Sequence, residues 1–423
     1  MPEIRDPIHG FIELSDEEME IIDSAPFQRL RRIRQLATTY LVYPSAEHTR
    51  FPHSLGVMHV ATLIFDKVIQ KQKRDGVLDW NQEQIDAYRQ KLRLAALLHD
   101  LGHGPFSHLG DRLFHPSVKT HENMAAKLVE ETELAEKIDR IGEKHGFNAK
   151  HIASLIRGAV FKAEDQLLVS IFASELDADK MDYLLRDSLF AGVKYGYFDL
   201  DRVLNVVNLF PKDGTWLLGF ESDGLEAVEA LILARYFMYK QVYFHRTRRM
   251  YDYILEKVVR GFLKDKFGDE CFPQNPDEFL SLDDESIFQY AKASSQKNSW
   301  AGRFLRREHF REVWSSDRLA DTFADSREYD EQVAQMLKGY YKEDQVFVDR
   351  FVKAPIRFAD EDNSPTIHII DRKDQTVTYS LREMASVVSK LEDPIYVFRV
   401  YAEEKIAQDV YYRIKKIYHV FKK

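Results

Sequence analysis

The densest chemistry in the chain lies in Leu97-Leu98-His99-Asp100-Leu101-Gly102-His103-Gly104-Pro105-Phe106-Ser107-His108. An apolar stretch delivers His99 and Asp100 side by side, and a Gly-Pro turn follows with two more histidines. Successive positions on a regular helix point about 100° apart, so one ion can bridge such a pair only where the chain leaves the helix. Imidazole and carboxylate together suit Fe, Mn, Co, Ni or Zn, and Mg less obviously. The plain alternative is a hydrogen-bonded core histidine beside a helix-end aspartate, and the run with His103 and His108 weighs against it. A metal needs further ligands. His53 opens a helix in Arg50-Phe51-Pro52-His53-Ser54-Leu55-Gly56. Asp179, Tyr183 and Asp187 recur every four residues and share one helix face. That makes a poor core stripe, though a solvated acidic face has the same pattern. Arg50 and Lys180 add positive charge close to these groups, and surface ion-pairing groups are the plain alternative for both.

The elements that must position these residues are mostly helices. Apolar periodicity predicts helices over 27–36, 54–71, 87–99, 120–136, 175–189 and 225–261, the last with a bend or a break. Ser54 and Thr120 are the expected N-caps. Between the last two helices, Trp216–Phe220 after Asp213-Gly214 predicts a hairpin within 206–221. Beyond about residue 265 the composition shifts. An acidic, turn-rich stretch covers 275–287, a helix is expected over 295–319, short strands at 367–370, 376–380 and 395–400, and a closing helix over 402–421. The expected fold is mainly α, a helical core with a small hairpin over 1–265 and a smaller mixed α+β domain over 266–423.

Ten of the 15 histidines fall between His48 and His151, so the first third carries the chemistry. In 423 residues, 44% are hydrophobic and 30% charged, which excludes a disordered, collagen-like or simple coiled-coil chain. No apolar run approaches the roughly 20 residues of a membrane span, and Met-Pro-Glu-Ile-Arg-Asp has no apolar core behind it, so no signal peptide is expected. The single cysteine, Cys271, excludes an intrachain disulfide and fits a cytoplasmic protein. A net charge of −9 does not favour a nucleic-acid partner, and an anionic ligand must be held by a local basic cluster.

Arg-x-x-His at 50–53, His-Asp-x-x-His-Gly-x-x-x-His at 99–108, His-Glu at 121–122 and Asp-Lys-x-x-Tyr-x-x-x-Asp at 179–187 stand in a specific order. The ordered set resembles the HD-domain metal-dependent phosphohydrolases, and within them the dNTP triphosphohydrolases, including the mammalian SAM-and-HD-domain enzyme and bacterial relatives. The resemblance runs from Asp6-Pro7-Ile8-His9-Gly10 to about Tyr251 and takes in Phe27-Gln28-Arg29-Leu30-Arg31 and Gln35-Leu36. It implies hydrolysis of a dNTP to deoxynucleoside and triphosphate. It further implies that His53, His99, Asp100 and Asp179 hold a divalent metal ion, with a further Mg accompanying the nucleotide. Arg50, Lys180 and Tyr183 would contact the triphosphate, Asp187 the sugar 3′-hydroxyl, and Gln35, Leu36 and His245 the rest of the substrate. His108 and Asp111 would orient the attacking water. His103 and His121 would sit near the α-phosphate, His121 as proton donor to the leaving oxygen. The competing function is an HD phosphohydrolase acting on another phosphate ester, a nucleoside monophosphate or single-stranded nucleic acid.

One departure concerns substrate binding. The mammalian pattern has Arg where Gln241 stands and Tyr where Arg249 stands. A neutral amide cannot replace a guanidinium fork on phosphate, so Lys240 or Arg249 is the expected substitute. Asp23, Gln28 and Arg31 match the family's effector-nucleotide residues, where dGTP-like nucleotides promote a homotetramer. The alternative there is a solvated basic face carrying Arg29, Arg31, Arg32 and Arg34.

Overall fold

The computed structural model of the chain describes residues 2–75, 80–159, 162–212, 215–296, 300–316, 323–354, 356–357, 367–374, 376–391 and 394–421. The chain opens with a hairpin, β1 (Glu3–Asp6) and β2 (Gly10–Glu13), paired antiparallel. The helical core follows: α1 (Arg50–Asp75), α2 (Gln82–Leu98), α3 (His121–Glu131) and α4 (Ala178–Ala191). Then come the strands β3 (Val207–Lys212) and β4 (Thr215–Glu221) and the helices α5 (Leu225–Met238), α6 (Arg246–Phe267) and α7 (Asp284–Ser294). Next are β5 (Arg311–Ser315), β6 (Val346–Lys353), β7 (His368–Ile370), β8 (Thr378–Ser380), β9 (Ile395–Ala402) and α8 (Ala407–Phe421). The class is mainly α with small sheets.

Val57, Met58, Val60, Ala61, Ile64, Phe65 and Val68 of α1 are fully buried, as are Leu92 and Leu94 to Leu98 of α2. The middle of α1 and the C-terminal half of α2 are apolar on nearly all sides, which places them inside the core. Asn81 starts α2 with a capping box to Gln84. Asp177 caps α4 by accepting the N–H of Lys180, and Gly192, in the left-handed region at φ 69°, ends it. These caps fix where α2 begins and where α4 begins and stops. The later strands form two sheets. In one the order is β3-β4-β7-β8, with β4 and β7 parallel; in the other β9 lies between β5 and β6, antiparallel to both.

The N-cap expected at Ser54 moves. The helix starts at Arg50 and Ser54 is buried inside it. Pro52 is tolerated because first-turn amides need no helical acceptor. The helix expected over 27–36 is a helical turn, Ala25–Gln28, a 3-10 turn, Arg29–Arg32, a short extended stretch at Ile33-Arg34 and a turn from Gln35. Phe27, Leu30 and Ile33 are fully buried, and three-residue steps suit the 3-10 period. Arg29 leaves the solvated face. It is buried, donating from Nε to Leu282 O at 2.7 Å and from Nη2 to His103 O at 2.9 Å. The segment 120–136 breaks after α3, with Leu134–Glu143 a second helix, while Thr120 caps as expected. The segment 225–261 breaks at a π-turn, Tyr239–Tyr243, and His245 restarts it by accepting the N–H of Thr247. Within 295–319 the helix is Trp300–Arg306, followed by β5, the reversal falling at Arg307 with φ 58°. Residues 297–299 and 317–319 of that segment, and Asp213-Gly214 of the hairpin, lie outside the described residues.

Candidate metal centre

The first turns of α1 and α4 and the end of α2 meet at one buried point. His53 Nε2 lies 3.3 Å from Asp100 Oδ2 and 3.1 Å from Asp179 Oδ1. His99 Nε2 lies 3.3 Å from Asp100 Oδ1 and 3.8 Å from Asp179 Oδ1. Each imidazole is anchored at its other nitrogen. His53 Nδ1 donates to Asp182 Oδ2, and His99 Nδ1 to Ala96 O, both at 2.8 Å. The two inward Nε2 atoms are buried without a well-aligned hydrogen-bond partner among the described residues. Two anchored imidazoles and two carboxylates converging on such nitrogens fit a divalent transition ion. HD domains bind divalent metal, and His53, His99 and Asp100 stand within range of one ion.

Electrostatics agree. Burial opposes charge on His53, but Asp100, Asp179 and Asp182 outweigh it and hold its pKa well above the usual histidine value. Burial is likewise outweighed at His99 by Asp100 and Asp179. Burial disfavours the Asp100 carboxylate, yet Arg50, His99 and His103 hold its pKa well below the usual range. The site therefore favours a cation between its carboxylates, and a proton and a metal compete for the same nitrogens.

A second cluster adjoins it. His103 Nε2 is 3.3 Å from Asp100 Oδ1, and the His103 ring stacks on His121 with centroids 3.8 Å apart. Asp111 contacts His108 Nδ1 at 3.0 Å and His121 Nδ1 at 3.4 Å, and Glu122 lies 3.2 Å from His121 Nε2. Burial, with Arg50 and His121 nearby, holds His103 well below the usual histidine value. Burial of His121 is outweighed by Asp111 and Glu122, which raise it. The two stacked rings are thus pushed in opposite directions.

Around these clusters, Arg50 is buried, donating from Nε to Ser107 Oγ at 2.8 Å and from Nη1 to Asp100 Oδ2. Its Nη2 has no hydrogen-bond partner among the described residues. Asp187 accepts from His48 Nε2 and from the Tyr243 hydroxyl, both at 2.8 Å. Tyr183 lies edge-on to Tyr243 with centroids 6.0 Å apart. Gln35 and Leu36 are buried beside this wall, the Gln35 N–H donating to His48 O at 3.0 Å. Lys180 folds back instead, donating to Asp177 Oδ2 and Ser174 O at 2.8 Å. His245 lines a separate cavity of about 340 Å³ with Lys240, Gln241, Arg246 and Arg399. Arg249 grips Asp349 with Nε and Nη2. At the surface Arg31 donates to Gln28 Oε1 at 2.8 Å and lies 3.5 Å over the Phe51 ring, while Asp23 is the exposed end of the helix Asp16–Ile22.

Sequence reading missed Asp182, His48, Tyr243, Ser107 and Asp284. Asp182 and Tyr243 carried a usable signal, each one turn from a residue already singled out. Ser107 stands in the run beside His108 and His48 two residues before Arg50, whereas Asp284 is joined to the site only through the fold. Asp284, on α7, accepts the N–H of Phe106 at 2.7 Å and of Arg34 at 3.0 Å. Phe106 and Ser107 both have left-handed backbone, φ 58° and 56°, so this carboxyl holds the turn between His103 and His108. Burial pushes the Asp284 carboxyl up to about 7. A raised folded-state pKa favours folding below the unfolded value, ~3.9, and that contribution is lost as pH climbs to about 7. Asp284→Asn is expected to lose less stability than wild type between pH 5 and pH 8, read from urea unfolding of both proteins at each pH. Equal losses would contradict the assignment.

The HD-domain model matches residues 50–182, which contain both clusters, and the HD-associated region matches residues 198–423. The chain belongs to the HD-domain family. Its HD domain supplies every ligand candidate, and its HD-associated region supplies Asp284 and Tyr243. The uncharacterized protein YwfO of Bacillus subtilis is 33% identical over 329 residues, 73% of this chain and 71% of that one. A protein of Dictyostelium discoideum named deoxynucleoside triphosphate triphosphohydrolase SAMHD1 homolog is 27% identical over 412 residues, covering 90% of this chain and 73% of its own. The crystal structure of a hypothetical protein from Aquifex aeolicus superposes with a TM-score of 0.77 at 29% identity, covering 97% of this chain and 98% of that chain. The fold is that of an HD-domain phosphohydrolase. No helix among the described residues is long and apolar enough to cross a membrane.

Proposed function

We propose that this protein hydrolyses deoxynucleoside triphosphates to deoxynucleoside and triphosphate. The observation that carries the reading is the pairing of two clusters, His53–His99–Asp100–Asp179 and His103–His108–Asp111–His121, joined through Asp100. The similarity to a protein named as a dNTP triphosphohydrolase supports the substrate class. His53, His99, Asp100 and Asp179 would hold a divalent ion, which would supply positive charge for phosphoryl oxygens. Asp111 and His108 orient water for attack on the α-phosphorus. His121 protonates the departing 5′ oxygen, so the bond from phosphorus to that oxygen breaks as the bond to water forms. Arg50 offers its free Nη2 to the phosphate, and Lys180 joins it on release from Asp177. Tyr183, Asp187, Gln35 and Leu36 form the sugar and base side, with His245 beyond. Residues 1–265 carry the catalysis, and residues 266–423 buttress it through Asp284 and Asp349. Rates with deoxynucleoside triphosphates, monophosphates and single-stranded DNA, each with manganese, test the reading; fastest turnover of a monophosphate or of DNA would overturn it.

The regulatory half of the proposal is a homotetramer, acting in the cytoplasm, activated by a nucleotide such as dGTP near Asp23, Gln28 and Arg31. An effector acts this way when it binds the assembled state better than the separated one. The double change Gln28→Ala with Arg31→Ala is expected to abolish activation by dGTP and leave metal content unchanged. Light scattering and rates with and without dGTP decide it, and wild-type rates indifferent to every nucleotide would contradict it.

A further inference from the structure

The hydrogen bonds that anchor His53 run on to the start of the chain. Asp182 Oδ2 accepts from His53 Nδ1 and from Arg186 Nε, each at 2.8 Å. Its Oδ1 accepts from His9 Nε2 at 2.7 Å and from Arg186 Nη2 at 2.8 Å. A carboxylate has about four acceptor sites, so Asp182 is saturated and is held from both sides. Arg186 Nη1 continues to Asp6 Oδ2 at 2.8 Å, and Asp6 Oδ1 accepts the N–H of Ile8 at 2.8 Å and of His9 at 3.1 Å. The His9, Asp182 and Arg186 side chains are essentially sealed from solvent, at 3%, 0% and 0% exposure. The β1–β2 turn, Asp6-Pro7-Ile8-His9-Gly10, is thereby tied to His53 through one carboxylate.

The packing leaves no slack. A Cβ at Gly56, one turn after His53 in α1, would lie 1.9 Å from Asp182 Oδ1 and 2.5 Å from Arg186 Nη2. Buried ion networks are a poor source of stability, since apolar replacements often do as well. What this network supplies is a fixed orientation. A carboxylate on the far nitrogen of a ligating histidine sets its tautomer and ring plane. We propose that the N-terminal hairpin is a working part of the metal centre. Asp6 and His9, acting through Arg186 and Asp182, are positioning residues that lock His53 with its Nε2 lone pair turned toward Asp100 and Asp179. This rests on the reading of His53 as a ligand.

The test uses the full chain and manganese, with affinity read by chelator competition and metal-free stability by thermal unfolding. Asp182→Asn and His9→Phe are expected to weaken manganese binding about ten- to a hundredfold, the range for lost outer partners of metal ligands. His9→Gln, which restores a donor, should recover most of that loss. Manganese affinity equal to wild type in His9→Phe, with only the metal-free melting point lowered, overturns the proposal, and His9→Phe decides alone if Asp182→Asn fails to fold. His53→Ala separates the two levels. If it binds manganese normally, the ligand reading fails and the clamp with it. If it loses manganese while Asp182→Asn and His9→Phe do not, the clamp alone fails.

Discussion

His99→Ala and Asp179→Ala are each expected to remove metal and turnover together while the chain stays folded. Each deletes one of the four groups that meet at the buried point, His53, His99, Asp100 and Asp179, and neither side chain belongs to the apolar core. A metal ion contributes several kcal/mol of charge stabilisation in phosphoryl transfer, so turnover should fall by about a thousandfold or more at 1.36 kcal/mol per tenfold. Burial of the remaining carboxylates without their cation adds a further cost in the metal-free state. Elemental analysis and circular dichroism on the same preparations check both halves. Full metal occupancy in either variant would sink the ligand assignment.

Asp187→Ala is the second large effect. The carboxylate stands two turns beyond Asp179 on α4, held by His48 and Tyr243. Burial and the neighbouring Asp187 push the Tyr243 hydroxyl well above its usual pKa, so it stays protonated and donates. A hydrogen bond to a charged group is worth about 1.5–3 kcal/mol, so losing a sugar contact should cost about ten- to a hundredfold in kcat/KM. The preference for deoxy over ribonucleotides should shrink as well. Asp187→Asn keeps the packing and one acceptor and should retain more activity. An unchanged ratio of deoxy to ribo rates would show that Asp187 does not read the sugar.

Much of the site was legible because its residues sit in short runs at element ends. His99-Asp100 closes a helix, His53 lies in a first turn, and Asp179, Tyr183 and Asp187 step along one face. The helix N-terminus at 50 was misplaced because Ser54 looks like a cap while Pro52 looks like a breaker, and burial decided otherwise. The arginine-rich segment 29–34 could not be apportioned from sequence. Arg29 turns inward because carbonyls of Leu282 and His103 wait for it, and one of those acceptors is more than 250 residues away. The same distance hid Asp284, whose partner Phe106 is 178 residues earlier. Lys180 shows the converse limit, since its charge was legible but its engagement with Asp177 was not. The strands at 368–370, 378–380 and 395–402 were visible in outline, whereas the parallel pairing of β4 with β7 joins segments about 150 residues apart.

The proposed reaction is attack of water on the α-phosphorus with release of intact triphosphate. Its most direct test is product identity after incubating a dNTP with the purified protein and manganese in heavy-oxygen water. Deoxynucleoside and inorganic triphosphate are expected in equal amounts, with the heavy oxygen in the triphosphate and none in the nucleoside. Deoxynucleoside monophosphate with pyrophosphate, or diphosphate with orthophosphate, or heavy oxygen in the nucleoside, would contradict it.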